Sequence, residues 1–274
     1  MFRISIPELE EKAYKIRRQL IDLIYQAGSG HLDTCLSLVE VWLAIVYSAF
    51  FKFDPKRGAW ESRTPLFLSE GHACPLQYLV NADLGYYPVE EVFAGFRKPH
   101  TLFQGHTVRH LPYGLENSNG SLGIGLWQAY GYVLVSQELV FCIVGDGEMQ
   151  EPSSLGFLTA PFFIKPAPNF VLIINNNGLA QDAAIGLGPL PQVAELYRWQ
   201  MIETDGHDFK ALGRALQSAI EEPHHPSLIV CQTIKGKGGN PAWEGQLGHH
   251  GVPPKNEAEY QACLQGLENS KGQS

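Results

Sequence analysis

The stretch from Leu139 to Asp182 restricts the possible folds of this chain more than any other. An apolar run, Leu139 to Val144, stops at Gly145-Asp146-Gly147. A helical stretch follows, and then a second apolar run, Phe170 to Ile174, stops at Asn175-Asn176-Asn177. Two short buried strands with a crossover between them read as a βαβ unit of a parallel sheet. Both polar clusters then fall at strand C-terminal ends, where open α/β sheets take their ligands.

The rest of the chain repeats the alternation. Pro7 to Ala27 carries an apolar stripe at helical spacing (Leu9, Ala13, Ile16, Leu20, Leu23, Ile24), with acidic residues in its first turns and Gly28 after its end. A nearly all-apolar helix is expected from Ser37 to Phe50, a strand over Thr64–Ser69, a helix over Cys74–Asp83 and a short one within Tyr86–Phe96. His100 to Asn119 has no clear period and reads as a long functional loop. Gly120 to Gly125 opens a helix to Gln137; further elements are expected at Gln192–Gln200, Met201–Thr204, Asp208–Glu222, Pro226–Thr233 and Asn256–Leu267. This order predicts an α/β fold: one doubly wound, mostly parallel sheet with helices on both faces. The 274 residues suit one such domain, 1–274, with a frayed polar tail over 268–274.

The net charge of −8 and the lack of a like-charge block argue against nucleic acid or an anionic membrane as the main partner. Five scattered cysteines, none in a CxxC pair, read as reduced thiols and point to the cytoplasm. The first residues lack the apolar core of a signal peptide, and no apolar run approaches a membrane span.

The two polar clusters also agree chemically. Asp146 offers a carboxylate, the Asn run side-chain carbonyls, and the following turn a backbone carbonyl near Leu179. Hard oxygen donors from two adjacent loops suit Mg²⁺ or Ca²⁺, with a phosphate completing the shell. Gly145 and Gly147 allow the backbone to come close to a diphosphate. Gly-Asp-Gly followed by Asn-Asn about thirty residues later resembles the metal-diphosphate motif of thiamine-diphosphate enzymes; here 31 positions separate Asp146 from Asn177. The resemblance extends in family order to transketolases: Ser29-Gly30-His31, Leu68-Ser69-Glu70-Gly71-His72-Ala73, Gly105-His106, Gly120-Ser121-Leu122-Gly123-Ile124-Gly125-Leu126, Asp205-Gly206-His207-Asp208, Lys235-Gly236-Lys237-Gly238 and His250-Gly251.

The resemblance implies thiamine diphosphate and Mg²⁺ (or Ca²⁺ or Mn²⁺) as cofactors, with Asp146, Asn177 and the Leu179 carbonyl on the metal. It implies cofactor contacts from His72, Gly120, Leu122, Gly145, Asp146, Gly147, Asn177 and His250. His31, His72, His106 and His250 are expected to line the cofactor or the donor sugar and to move protons. Glu151 is expected in a proton network between two cofactors; the plainer reading is a helix N-terminal charge. The chain matches only the first part of a transketolase. It is therefore expected to act as the N-terminal subunit of a split enzyme, likened to an α₂β₂ assembly, whose partner brings the pyrimidine-binding and third domains. Its reaction would be ketol transfer on sugar-phosphate-type substrates, and the partner surface is expected on the helices that start at Gly120 and Pro152.

Some positions depart from the family pattern. Leu32-Asp33 follows His31 where Pro-Gly is usual, Pro152 follows Glu151, and Thr107-Val108-Arg109-His110 follows Gly105-His106. These departures put the substrate in question: Asp33 for hydroxyl recognition, Arg109 for an acidic group, and hence a specialised acceptor. Lys235 and Lys237 read as phosphate-facing or solvated, and His100, His110, His224, His225 and His249 as surface residues. The other readings are a 2-oxo-acid dehydrogenase E1-like or deoxyxylulose-phosphate-synthase-like component, and a non-catalytic scaffold of the same fold.

Overall fold

The computed structural model describes residues 1–136 and 138–271. Its centre is a five-stranded parallel sheet: β1 (Leu66–Leu68), β2 (Val140–Gly145), β3 (Phe170–Asn176), β4 (Gln200–Asp205) and β5 (Ser227–Gln232), in spatial order β1-β2-β3-β5-β4. β2 and β3 pair in the expected parallel register, from Val140 opposite Phe170 to Gly145 opposite Asn175. Both are covered on two faces, which is why they read as unbroken apolar runs.

Period-two alternation divides those runs between two cores. Phe141, Ile143, Val171 and Ile173 face one core, beneath α1 (Ile6–Ala27), α3 (Val39–Val46), α4 (Cys74–Asp83) and α10 (Phe209–Glu221). Val140, Cys142, Val144, Leu172 and Ile174 face the other, beneath α6 (Ile124–Val135), α7 (Pro152–Phe157), α8 (Ala160–Phe163) and α9 (Leu190–Leu196). The chain steps across the sheet from β1 through β3 to β4 with α6, α7, α8 and α9 on the second face, while α4, also between β1 and β2, packs on the first. It then steps back to β5 through α10 on the first. One handedness for every crossover requires that change of face when the direction reverses.

Local chemistry sets the ends of the elements and corrects several expected ones. α1 begins one residue early because Ser5 and Glu8 form a reciprocal capping box, and Gly28 ends it at φ 59°. The helix expected over Ser37–Phe50 is the shorter α3, and an unexpected helix, α2 (Leu32–Ser37), precedes it, the two meeting at Leu38. The Ser37 hydroxyl donates to the Thr34 carbonyl at 2.7 Å, and the Leu38 N–H turns back to Cys35, so the first helix tightens and stops. α6 starts at Ile124, not at Gly120, because Gly120 (φ 140°) and Gly123 (φ 81°) are not helical; the expected end at Gln137 lies outside the described residues. α9 ends before Arg198, whose φ of 64° breaks the helix expected to reach Gln200. α5 (Val89–Gly95) forms as expected, and α11 (Glu257–Ser270), capped by Asn256, runs three residues past Leu267 into the expected tail. Residues 272–274 lie outside the described residues.

All five cysteines are buried and unpaired. Among the described residues, no helix is long and apolar enough to cross a membrane.

Candidate active site

Because the strands are parallel, the residues just beyond β1, β2, β3 and β5 emerge on one edge of the sheet. Asp146 is the first residue beyond β2, and it is 4% exposed. One carboxylate oxygen accepts the N–H of Gly147 at 2.7 Å and the other accepts the N–H of Gly178, in the turn after β3, also at 2.7 Å. In that turn the Asn177 side-chain oxygen accepts the Leu179 N–H at 3.1 Å, an Asx turn. Asp146 thus ties its own turn after β2 to the turn after β3, which carries both Asn177 and Leu179. Burial pushes the Asp146 carboxyl up to about 6, with the N–H groups of Gly178 and Gly147 opposing and the charge of Glu70 adding.

Lys235, just beyond β5, is the cation of the site and is 4% exposed. Its ammonium donates to the carbonyls of Leu179 at 2.9 Å and Ala180 at 3.3 Å and to His250 Nδ1 at 3.1 Å. It also lies 3.5 Å from Asp33. The lysine is thus neither solvated nor free to turn outward; its place at the end of the last strand is the sequence signal for its position. Asp33, on α2, does not open onto the cleft: its outer oxygen is buried behind Lys235 and His250, so it braces those side chains.

Three of the four expected histidines pack into one cluster. The ring centroids lie 4.8 Å apart for His31 and His72, 5.0 Å for His31 and His250, and 5.3 Å for His72 and His250. Burial and the neighbouring rings, with Arg97 and His106, pull His31 down to about 3. Burial and the Lys235 ammonium lower His250 against the pull of Asp33. Burial also acts to lower His72, but Glu70, Asp33 and Glu148 outweigh it and its net shift is upward. His106 is exposed on the rim beside Gly71 and Gly120, and is lowered by desolvation, His72 and Arg97. The cation beside His31 and His106 is Arg97, whose guanidinium donates to Ser29 Oγ at 2.6 Å and lies against Gly105. Arg109, proposed from sequence for an acidic group, is exposed.

Two buried carboxylates escape the sequence reading, though both stand inside motifs that it uses. Glu148 accepts Ser69 Oγ and the Gly123 N–H, both at 2.6 Å, fastening the glycine-rich turn before α6 to the end of β1. Burial pushes Glu148 up to about 7 against those hydrogen bonds. Glu70 is 3% exposed and accepts Asn175 Nδ2 on both oxygens, at 3.3 and 3.2 Å. The missing side chain of Gly145 makes room for it, since a Cβ there would stand 3.0 Å from its carboxylate. Just past the glycine-rich turn, in the first turn of α6, Gly125 serves protein packing: a Cβ would fall 2.5 Å from Ser69 Cα. Gly120 and Gly147 stay open, with nothing nearer than 3.7 Å to a Cβ.

Leu122 and Glu151 stand apart from this buried centre. Leu122 is 46% exposed, and Glu151 is an exposed residue at the start of α7. His207, in the turn before the Asp208-capped α10, is also a structural bridge. Its Nε2 accepts the Ile234 N–H at 2.9 Å, so its Nδ1 carries the hydrogen that faces Glu40 at 3.0 Å. Of the histidines read as surface residues, His249 stacks on Trp243 and His110 packs on Tyr113. Among the described residues, no group of three or more His, Cys, Asp or Glu side chains could hold a metal ion.

The comparisons with known proteins agree with this geometry. The family "Transketolase, thiamine diphosphate binding domain" matches residues 9–268. The 6-deoxy-6-sulfo-D-fructose transketolase subunit SqwG of Clostridium sp. (strain MSTE9) is 30% identical over 89% of this chain and 91% of its own length. An apulose-4-phosphate transketolase subunit of Actinobacillus succinogenes is 30% identical over 94% of this chain and 96% of its own. The crystal structure of transketolase from Campylobacter jejuni superposes with a TM-score of 0.87 at 26% identity, covering 98% of this chain and 43% of that one. The chain spans 41–42% of the length of the transketolases and transketolase-like proteins of mammals that it also matches. It therefore belongs to the transketolase family, as a thiamine diphosphate-binding domain of the kind found in split-subunit relatives.

Proposed function

We propose that this chain is the diphosphate-holding subunit of a two-subunit transketolase, transferring a two-carbon ketol unit from a ketose phosphate to an aldehyde-type acceptor. The observation that carries the reading is the Asp146 clamp: one buried carboxylate joins the turns after two adjacent strands, beside three packed imidazoles.

A divalent ion fits the donor set. Each Asp146 oxygen accepts one backbone N–H in the structure, which leaves it a further lone pair. Asn177 Oδ1 and the Leu179 carbonyl complete a set of hard oxygen donors suited to Mg²⁺, Ca²⁺ or Mn²⁺. Thiamine diphosphate, when bound, supplies the carbon nucleophile that accepts the ketol unit. The residues of this chain then have separable tasks. Gly120, Gly145 and Gly147 let backbone approach the diphosphate, Lys235 with His72 neutralises it, and His250, a neutral imidazole, hydrogen-bonds to it. Leu122 offers an apolar surface to the ring system. His31, lowered to about 3, stays neutral at working pH and can hydrogen-bond to a sugar hydroxyl, while His106 meets the substrate at the rim. Glu151 faces outward, where a partner would bring it into a proton network.

The partner is the subunit with the pyrimidine-binding and third domains, in an α₂β₂ assembly. Exposed Leu122, Ile124 and Trp127 at the start of α6 and Leu155 on α7 form the apolar surface it would cover. Two relatives of matching length are named for a particular sugar, which supports a specialised substrate here. The test is calorimetric titration of the reconstituted pair with thiamine diphosphate and Mg²⁺, followed by ketol-transfer assays. Xylulose 5-phosphate with ribose 5-phosphate would be set against modified or sulfonated sugars. Absence of binding heat would remove the cofactor reading, and equal turnover on the common pentose phosphates would remove specialisation.

A further inference from the structure

We propose that Glu70 is a positioning residue for His72: from beneath the histidine cluster it faces the Nε2–H of that ring and makes His72 the imidazole that carries the cluster's positive charge. The inference deepens the catalytic reading above and rests on it for its functional meaning.

The contacts of the three rings differ in kind. His72 Nε2 lies 3.4 Å from Glu70 Oε1, within ion-pair range. His250 has Asp33 at 3.8 Å, but the same ring nitrogen is 3.1 Å from Lys235 Nζ. An ammonium can only donate, so that nitrogen must present a lone pair and His250 stays neutral. Among the described residues His31 has no carboxylate in ion-pair range, and its buried Nδ1 finds no hydrogen-bond partner. Packed rings 4.8 to 5.3 Å apart penalise a second positive charge. The groups facing His72 are therefore Glu70 from its own turn, Asp33 from α2, Glu148 from the turn after β2, and His31, His106 and His250 from three loops.

Glu70 is held for this task. Asn175 Nδ2 binds both of its oxygens, Ser37 Oγ accepts from the same amide group, and Thr233 donates to the Asn175 carbonyl oxygen at 2.6 Å. The carboxylate thus sits at the end of a buried hydrogen-bonded row spanning α2, β3 and the residue after β5. Glycine at 145 gives it the space.

The experiment is a histidine ¹⁵N NMR titration of the full chain, with the three rings assigned by single His→Gln variants. In the wild type, His72 is expected to titrate at higher pH than both His31 and His250. In Glu70→Gln, which keeps an acceptor for Asn175 and removes the charge, the His72 midpoint is expected to fall by about one pH unit or more. The acid limb of kcat/KM in the reconstituted pair should move the same way, which a purely structural role would not produce. A wild-type His72 that titrates below either neighbour, or a midpoint unmoved in Glu70→Gln, overturns the proposal; the wild-type order decides even if the variant does not fold. A correct order in a pair that binds no thiamine diphosphate would instead sink the catalytic reading and leave the Glu70–His72 pairing standing.

Discussion

The ammonium of Lys235 lies 2.9 Å from the carbonyl oxygen of Leu179, so the loop after β5 holds the turn after β3. The lysine is buried among Leu179, Ala180, His250 and Asp33, and it brings positive charge to a cleft that also holds Asp146, Glu70 and Glu148. Replacing it with the neutral, similarly long methionine (Lys235→Met) removes a charged hydrogen bond of about 1.5–3 kcal/mol. The expected outcome is thiamine diphosphate affinity weakened by roughly 10- to 100-fold in the reconstituted pair, read by titration calorimetry. An unchanged dissociation constant would show that the lysine is structural only.

Asp146→Asn keeps an acceptor for one backbone N–H but removes the charge from the donor set. Cofactor binding that depends on Mg²⁺ should be lost, while the melting temperature without cofactor stays within a few degrees of wild type, since a buried carboxylate that burial penalises is being neutralised. A large drop in melting temperature would make the residue a fold determinant first.

Glu40 gives the pH dependence of stability. It is buried on α3, with Arg17 Nη1 and Nη2 at 2.5 and 2.7 Å and His207 at 3.0 Å. Burial alone would raise its carboxyl, but Arg17 and His207 hold it down at about 2, against 4.5 for a free glutamate. A carboxylate with a depressed folded-state pKa stabilises above the unfolded-state value and loses that contribution as pH falls toward the folded one. Roughly 3 kcal/mol is therefore expected to disappear between about pH 4.5 and pH 2. In urea unfolding, Glu40→Gln should be destabilised at pH 7 and approach wild type at pH 3; a constant difference across that range contradicts the assignment.

The apolar surface near α6 and α7 predicts where the partner docks. Trp127 is 38% exposed and donates to the Ser153 carbonyl, joining the two elements. Trp127→Glu should abolish co-purification with the partner while circular dichroism stays unchanged. Arg214→Glu, exposed on α10 against the other face of the sheet, should leave the complex intact. Loss of the complex in both variants, or in neither, would place the interface elsewhere.

Gly125 tests the packing of the glycine-rich turn. A methyl group there would meet Ser69 Cα at 2.5 Å, and backbone cannot rotate away as a side chain can. Gly125→Ala is expected to cost about 1–3 kcal/mol, as overpacking does, and to spread the Ser69–Glu148 contact. Chemical denaturation measures the cost; wild-type stability would mean that α6 slides freely.

The sequence alone determined the sheet and the edge on which the site sits. Unbroken apolar runs at Val140–Val144 and Phe170–Ile174, joined by a helical crossover, point to strands of a parallel sheet buried on both faces, and polar residues directly after such strands emerge at its C-terminal edge. Asp146 and Asn177 were legible for that reason, since each follows a strand whose position the pattern fixes, whereas His31, His72 and His250 were expected through the resemblance to transketolases. The tertiary structure decided which charges meet. Glu70, Glu148 and Lys235 lie on three different turns, and nothing in their local sequence says that each is buried, or against whom. Strand order brought Lys235 to Leu179, and packing distances left Glu70 beneath His72 while Arg109 remained exposed. Hydrophobic periodicity is a property of neighbours along the chain, but the free energy of a buried charge depends on its neighbours in space.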